Sequence, residues 1–168
     1  PLPAQTVLPN PWAWLAYAAA TACGVAGFAI IFNSSPRMLA WAVALGVVGN
    51  LCRLALVGAN LPAQLAAGVG GLAIGFLASP LSVRTKLPRI TLTVPACVIM
   101  VPGASMYRTV YWLNAQDMTK ALTFGADAVL TLVLIACGLA VARMCTDPAW
   151  AHNLPIPSPH AFKFSEED

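Results

Sequence analysis

Two ionisable side chains, Arg53 and Asp127, stand inside long apolar stretches of this sequence. A charge held in hydrocarbon costs at least about 2.5–3.5 kcal/mol, so such residues pair, face a cavity or reach toward the interface. Arg53 has Asn50 three residues before it, on the same helical face. Asp127 has Thr123 and Thr131 four residues to either side, again on one face. The third feature is the run Ile99-Met100-Val101-Pro102-Gly103-Ala104-Ser105-Met106-Tyr107-Arg108. Pro102 has no N–H and its ring crowds the carbonyl of Val98, and Gly103 follows at once. An apolar helix breaks there, and Pro95 weakens the same segment. Broken helix survives in a bilayer only where protein or trapped water covers it.

Together these residues describe a site for a small carboxylate. Arg53 and Arg108 suit a carboxylate through the planar fork of the guanidinium. The broken helix adds backbone donors between Gly103 and Ser105, aimed at an anion. Asp127 receives an amino group or a coupling proton, or else pairs with Arg53. Each feature also has a plainer reading. Arg53 is close enough to a span end to snorkel. Thr123 and Thr131 can bond to carbonyls of their own helix. The break can be a packing kink, since Gly and Pro are common in membrane helices.

The elements that position these residues are membrane spans. Of 168 residues, 59% are hydrophobic and 9% charged, with mean hydropathy +0.76. A soluble domain carries roughly a quarter charged residues. About five stretches reach the roughly 20 apolar residues needed to cross hydrocarbon. The fold class expected is all-α: a polytopic membrane protein of about five transmembrane helices with a broken fourth. A flexible lead-in (1–11) precedes one transmembrane domain (12–145), and a disordered Pro-rich tail (146–168) follows.

Span one runs from about Trp12 to Phe32, with Ala16, Ala20 and Gly24 as a small-residue stripe. Span two runs from about Pro36 to Gly58. Span three runs from about Pro62 to Ser79, with the stripe Ala67, Gly71, Gly75, Ser79, and Pro80 is expected to end it. Leu81 to Arg89 then forms a basic loop. Span four runs from Ile90 to about Leu113, and span five from about Ala121 to Met144. Chain alternation puts Arg53, Pro102-Gly103 and Asp127 toward the same side of the bilayer. Their depth of roughly 8–10 Å follows from the rise of about 1.5 Å per residue. Arg37, the Arg84 loop and Arg143 share the opposite side, so the positive-inside rule favours an outside N-terminus and a cytoplasmic C-terminus.

Other chemistries find little support. The net charge of +3 is small and scattered, giving no nucleic-acid footprint. Cys23, Cys52, Cys97, Cys137 and Cys145 show no paired or zinc-type spacing and suit packing. His152 and His160 fall in the tail. No Ser/His, Asp/Asp or metal-ligand constellation lies in the spans, so neither an enzyme nor a cofactor is expected.

Gly27-Phe28-Ala29-Ile30-Ile31-Phe32-Asn33, Pro36-Arg37 and Gly46-Val47-Val48-Gly49-Asn50 with Arg53 resemble the start of a known pattern. So do Pro88-Arg89, Val101-Pro102-Gly103 and Tyr107-Arg108 further on. In order and spacing, over about residues 20–140, the chain resembles the small subunit of the threonine/serine exporter family. The resemblance implies an inner-membrane exporter built from two different halves of about five spans each, here separate. It also implies threonine and serine as cargo, or succinate and related dicarboxylates in a split-subunit branch. Arg53, Pro102, Gly103 and Tyr107 fall on that family's motifs. The candidate substrate-binding or coupling residues are therefore Asn50, Arg53, Pro102, Gly103, Ser105, Tyr107, Arg108 and Asp127. The expected partners are a second membrane subunit, a carboxylate substrate and a further copy of the chain in a homo-oligomer. The alternative is a structural or assembly subunit of a larger membrane complex, without a substrate site of its own.

Overall fold

The computed structural model describes residues 11–147. The expected lead-in and tail lie outside these, except that residue 11 opens the first helix and Thr146 and Asp147 close the last. Among the described residues the chain is entirely helical: α1 (Pro11–Ile31), α2 (Pro36–Gly58), α3 (Ala63–Thr85), α4 (Arg89–Val98), α5 (Gly103–Asn114) and α6 (Met118–Thr146). Helices α1, α2, α3 and α6 are each long and apolar enough to cross a membrane. Helices α4 and α5 make up the fifth span, bent by 55° at its break. The protein is a polytopic all-α membrane protein.

The links are short because each reverses the chain on one left-handed residue: Asn33, Asn60, Lys86 and Gln116, at φ of 53°, 65°, 57° and 59°. Asn tolerates that conformation through local hydrogen bonding of its short amide. Two helix starts carry a side-chain cap. Ser35 accepts from the Met38 N–H with Pro36 in the first turn. Asp117 accepts from the Lys120 N–H at 3.2 Å. Hydrogen bonding from Lys120 also holds the exposed Asp117 carboxyl below the usual carboxylate range.

Helix α3 stands at the centre, between α6 on one flank and α2 with α4 on the other. Its small-residue stripe makes the α6 contact, as its spacing predicts. Gly75 approaches Ala142 so closely that an added Cβ would come within 2.5 Å of the alanine methyl. From α6, Gly138 sits against the Gly68 carbonyl and the Leu72 N–H, where no side chain fits. The core is Leu45, Ala67, Ile74, Ala78, Leu92, Ala96, Cys97, Met100 and Ile135.

Two expectations need correction. Pro80 does not end the third span, since α3 continues to Thr85. Pro80 removes the ladder donor to the Phe76 carbonyl, and the segment around it gains side-chain bonds instead. Arg89 Nη2 donates to the Gly75 carbonyl at 2.7 Å, Ser82 Oγ to Ser79 at 2.9 Å and Thr85 Oγ1 to Leu81 at 2.7 Å. Side-chain donors of this kind let membrane helices pass through proline. The basic loop thereby shrinks to a three-residue link, and Arg89 opens α4. The second correction concerns α1, whose buried residues are Thr21, Val25 and Ala29. Of the expected stripe only Gly24 meets a neighbour, Ile99, while Ala16 and Ala20 lie exposed.

Candidate functional site

The break occupies residues 99–102. Pro102 adopts φ −79° and ψ 60°, and the Gly103 N–H donates to the Val101 carbonyl at 2.8 Å. This is an inverse γ-turn. The Met100 and Val101 N–H groups bond to the carbonyls of Cys97 and Val98. Met100 is 1% exposed, and its thioether reaches Gly49 and Gly70, fixing the joint to the α2–α3 contact. Gly103 therefore offers no N–H to an anion, contrary to expectation. Only the Ala104 and Ser105 N–H groups start α5 without a backbone acceptor.

A carboxyl group of the protein itself lies at this helix start. Ser105 Oγ donates to Asp127 Oδ2 at 2.8 Å, joining the first turn of α5 to the middle of α6. Gln64 Nε2, from the first turn of α3, donates to Asp127 Oδ1. A negative charge there is favoured by the positive end of the helix dipole. The carboxylate is thus held by two neutral donors from two further helices. No cation among the described residues pairs with it.

Arg53 belongs to a different network. Its Nε donates to Asn50 Oδ1 at 3.2 Å, and Asn50 Nδ2 donates to Thr21 Oγ1 at 2.8 Å. Thr21 Oγ1 in turn donates to the Tyr17 carbonyl at 2.7 Å. Arg53 is half-buried with no ion-pair partner among the described residues. The pair Arg53–Asp127, one role offered by the sequence, is not formed, because α3 stands between α2 and α6. Thr131 and Thr123 bond to the carbonyls of Asp127 and Thr119 on their own helix, as the plainer reading has it.

Tyr107 and Arg108 extend the α5–α6 seam toward its outer end. Arg108 lies over the Phe124 ring, 5.4 Å from its centroid, and Lys120 over Trp112 at 4.2 Å. With Tyr107 and Tyr111 these residues line a 540 Å³ cavity. Helix α5 packs on α6, whereas Arg53 sits on α2, so Arg53 and Arg108 do not form one clamp. The arrangement is a half-buried carboxylate at the break, an aromatic and cationic seam leading from it, and a separate arginine held by amide and hydroxyl groups.

Sequence reasoning missed Gln64 and Thr21, one member of each network. Both are uncharged polar residues inside spans, and that alone was the signal available.

The family described as "Threonine/Serine exporter, ThrE" matches residues 17–145. An uncharacterized protein of Haemophilus influenzae is 34% identical over 82 residues, 49% of this chain and 28% of that protein. The match thus spans less than a third of that relative's length. No solved structure matches. The matched residues run from the second turn of α1 to the last turn of α6 and include every candidate site residue, so the chain belongs to the threonine/serine exporter family, a family of membrane transporters.

Proposed function

We propose that this chain is one membrane component of a secondary exporter for small carboxylate-bearing metabolites. The cargo is a threonine- or serine-type amino acid or a dicarboxylate such as succinate, and a second polytopic subunit completes the path. The observation that carries the site assignment is the Asp127 carboxylate held against the restart of the broken helix by Ser105 and Gln64. A carboxylate without a cation, deep in a span, is a receptor for an ammonium group or a proton. Arg53, charged and without a carboxylate partner, is the complementary receptor for an acid group. Alternating access would move cargo past the break. The chain sits in the inner (plasma) membrane with its C-terminus in the cytoplasm, in keeping with Arg37, Arg84, Lys86 and Arg143 at one end.

The test is export of threonine and of succinate from cells expressing this chain with its partner subunit. Asp127→Asn keeps the side-chain shape and removes the charge. It is expected to lower export at least about tenfold, the equivalent of one charge-assisted hydrogen bond, with unchanged protein in the membrane. Arg53→Gln is expected to raise the substrate concentration needed for half-maximal export. Normal export by both variants would leave the assembly-subunit reading in its place.

A further inference from the structure

Helices α5 and α6 run antiparallel in a register that three contacts fix. Ser105 meets Asp127, Arg108 meets Phe124 and Trp112 meets Lys120. Each step moves three or four residues forward on α5 and the same number back on α6, about 4.5–6 Å along the seam. Asp127 and Arg108 are therefore on neighbouring rungs with opposite charge, and they do not pair with each other. We propose that an α-amino acid lies along this seam, its ammonium group on Asp127 and its carboxylate on Arg108. The proposal rests on the exporter reading and adds the class of cargo, its orientation and the role of Arg108.

Three observations carry it. First, both groups keep bonding capacity. Asp127 accepts one bond on each oxygen, from Gln64 and Ser105, and a carboxylate has about four lone-pair sites. Arg108 makes no hydrogen bond and no ion pair among the described residues, and a guanidinium has five N–H donors. Second, the guanidinium is positioned. It lies over the Phe124 ring, 5.4 Å from the centroid, and stacking on a ring leaves its donor edge free for a planar carboxylate. Third, there is room. Arg108 and Phe124 line the 540 Å³ cavity with Tyr107, Tyr111 and Trp112. The other cation there, Lys120, is matched by Asp117 at 2.8 Å, so Arg108 is the one left for an acid group. A dicarboxylate has no ammonium group, and its second acid would face Asp127 as a like charge. Arg53 stands on α2, across α3 from this seam, so the acid group of a cargo bound at Asp127 falls to Arg108.

The experiment is exchange of labelled threonine, and separately of labelled succinate, in proteoliposomes holding this chain with its partner subunit. Serine, serinamide and N-acetylserine are the competitors, because serinamide lacks the acid group and N-acetylserine the ammonium group. For the wild type, serine is expected to compete at least about tenfold better than either analogue, the equivalent of one hydrogen bond to a charged group. Arg108→Gln should abolish the preference for serine over serinamide and keep that over N-acetylserine. Asp127→Asn should do the reverse, and Arg108→Lys should keep part of the first preference. The same ratios are read from ligand-dependent thermal stability of the purified pair, so a variant that binds without exchanging still decides. A residue that only props the seam would slow exchange and move neither ratio. An Arg108→Gln protein with the full preference for serine over serinamide therefore overturns the proposal. So does wild-type exchange of succinate with no competition by serine, an outcome that leaves the exporter reading standing. Wild-type vesicles that exchange neither threonine nor succinate would sink both.

Discussion

Helices α4 and α5 are halves of one span joined by four residues, yet the bundle holds them differently. Helix α4 buries Leu92, Thr93, Pro95, Ala96 and Cys97, whereas α5 buries none of its twelve residues. Helix α4 packs against α1, α2 and α3, while α5 rests on α6. One half is built into the core. The other is tethered, by the Ser105–Asp127 bond at its start and by Arg108 over Phe124 one turn later. One span thus supplies a half packed on three helices and a half that rests on one. The difference also explains why the candidate carboxylate sits where it does, at the joint between the held half and the tethered one.

The largest expected effect comes from breaking the frame on which both halves rest. Gly138→Leu forces a side chain against the Gly68 carbonyl and the Leu72 N–H. Overpacking of this kind costs about 1–3 kcal/mol, occasionally more. The expected outcome is loss of a monodisperse peak on size-exclusion in detergent. Next is the joint. Pro102→Ala restores an N–H that can return to the Val98 carbonyl, so the 55° bend should narrow. Spin labels at the exposed positions Ile90 and Leu113, with native cysteines replaced, should then lie further apart. An unchanged distance would mean that packing, with Met100 in the core, sets the bend instead.

Ser105→Ala cuts the tether alone and should release α5 without disturbing α4. Losing one bond to a charged group costs about 1.5–3 kcal/mol, so amide exchange in the first turns of α5 should quicken while α4 stays protected. Equal exchange in both halves would end the distinction between them. The smallest effect is expected of Thr109→Val. Its hydroxyl only donates to the Ser105 carbonyl on the same helix, and a change within about 0.5 kcal/mol is expected on thermal unfolding.

The spans were legible because crossing hydrocarbon demands about 20 apolar residues, and the break because Pro102-Gly103 removes a donor where none can be spared. That some helix packs closely on α3 was legible because small residues four apart allow backbones to approach, but not that the partner is α6. Chain alternation also gave the common level of Arg53, the break and Asp127. It gives depth and nothing about lateral order, so it could not show that α3 separates Arg53 from Asp127. Pro80 was misread because a proline in a membrane helix can be carried by its surroundings, and the sequence does not show that packing and side-chain bonds will hold α3 as far as Thr85. Gln64 and Thr21 went unnoticed for a similar reason. An uncharged amide or hydroxyl acquires meaning only from the partner that folding brings to it.

The left-handed residues in the links carry a mechanical consequence. Asn33, Asn60, Lys86 and Gln116 each reverse the chain within three or four residues. Such short reversals leave no slack at the ends of the helices, so neighbouring spans cannot slide far along one another without tearing a link. Relative displacement of linked spans is thereby restricted to tilt and rotation.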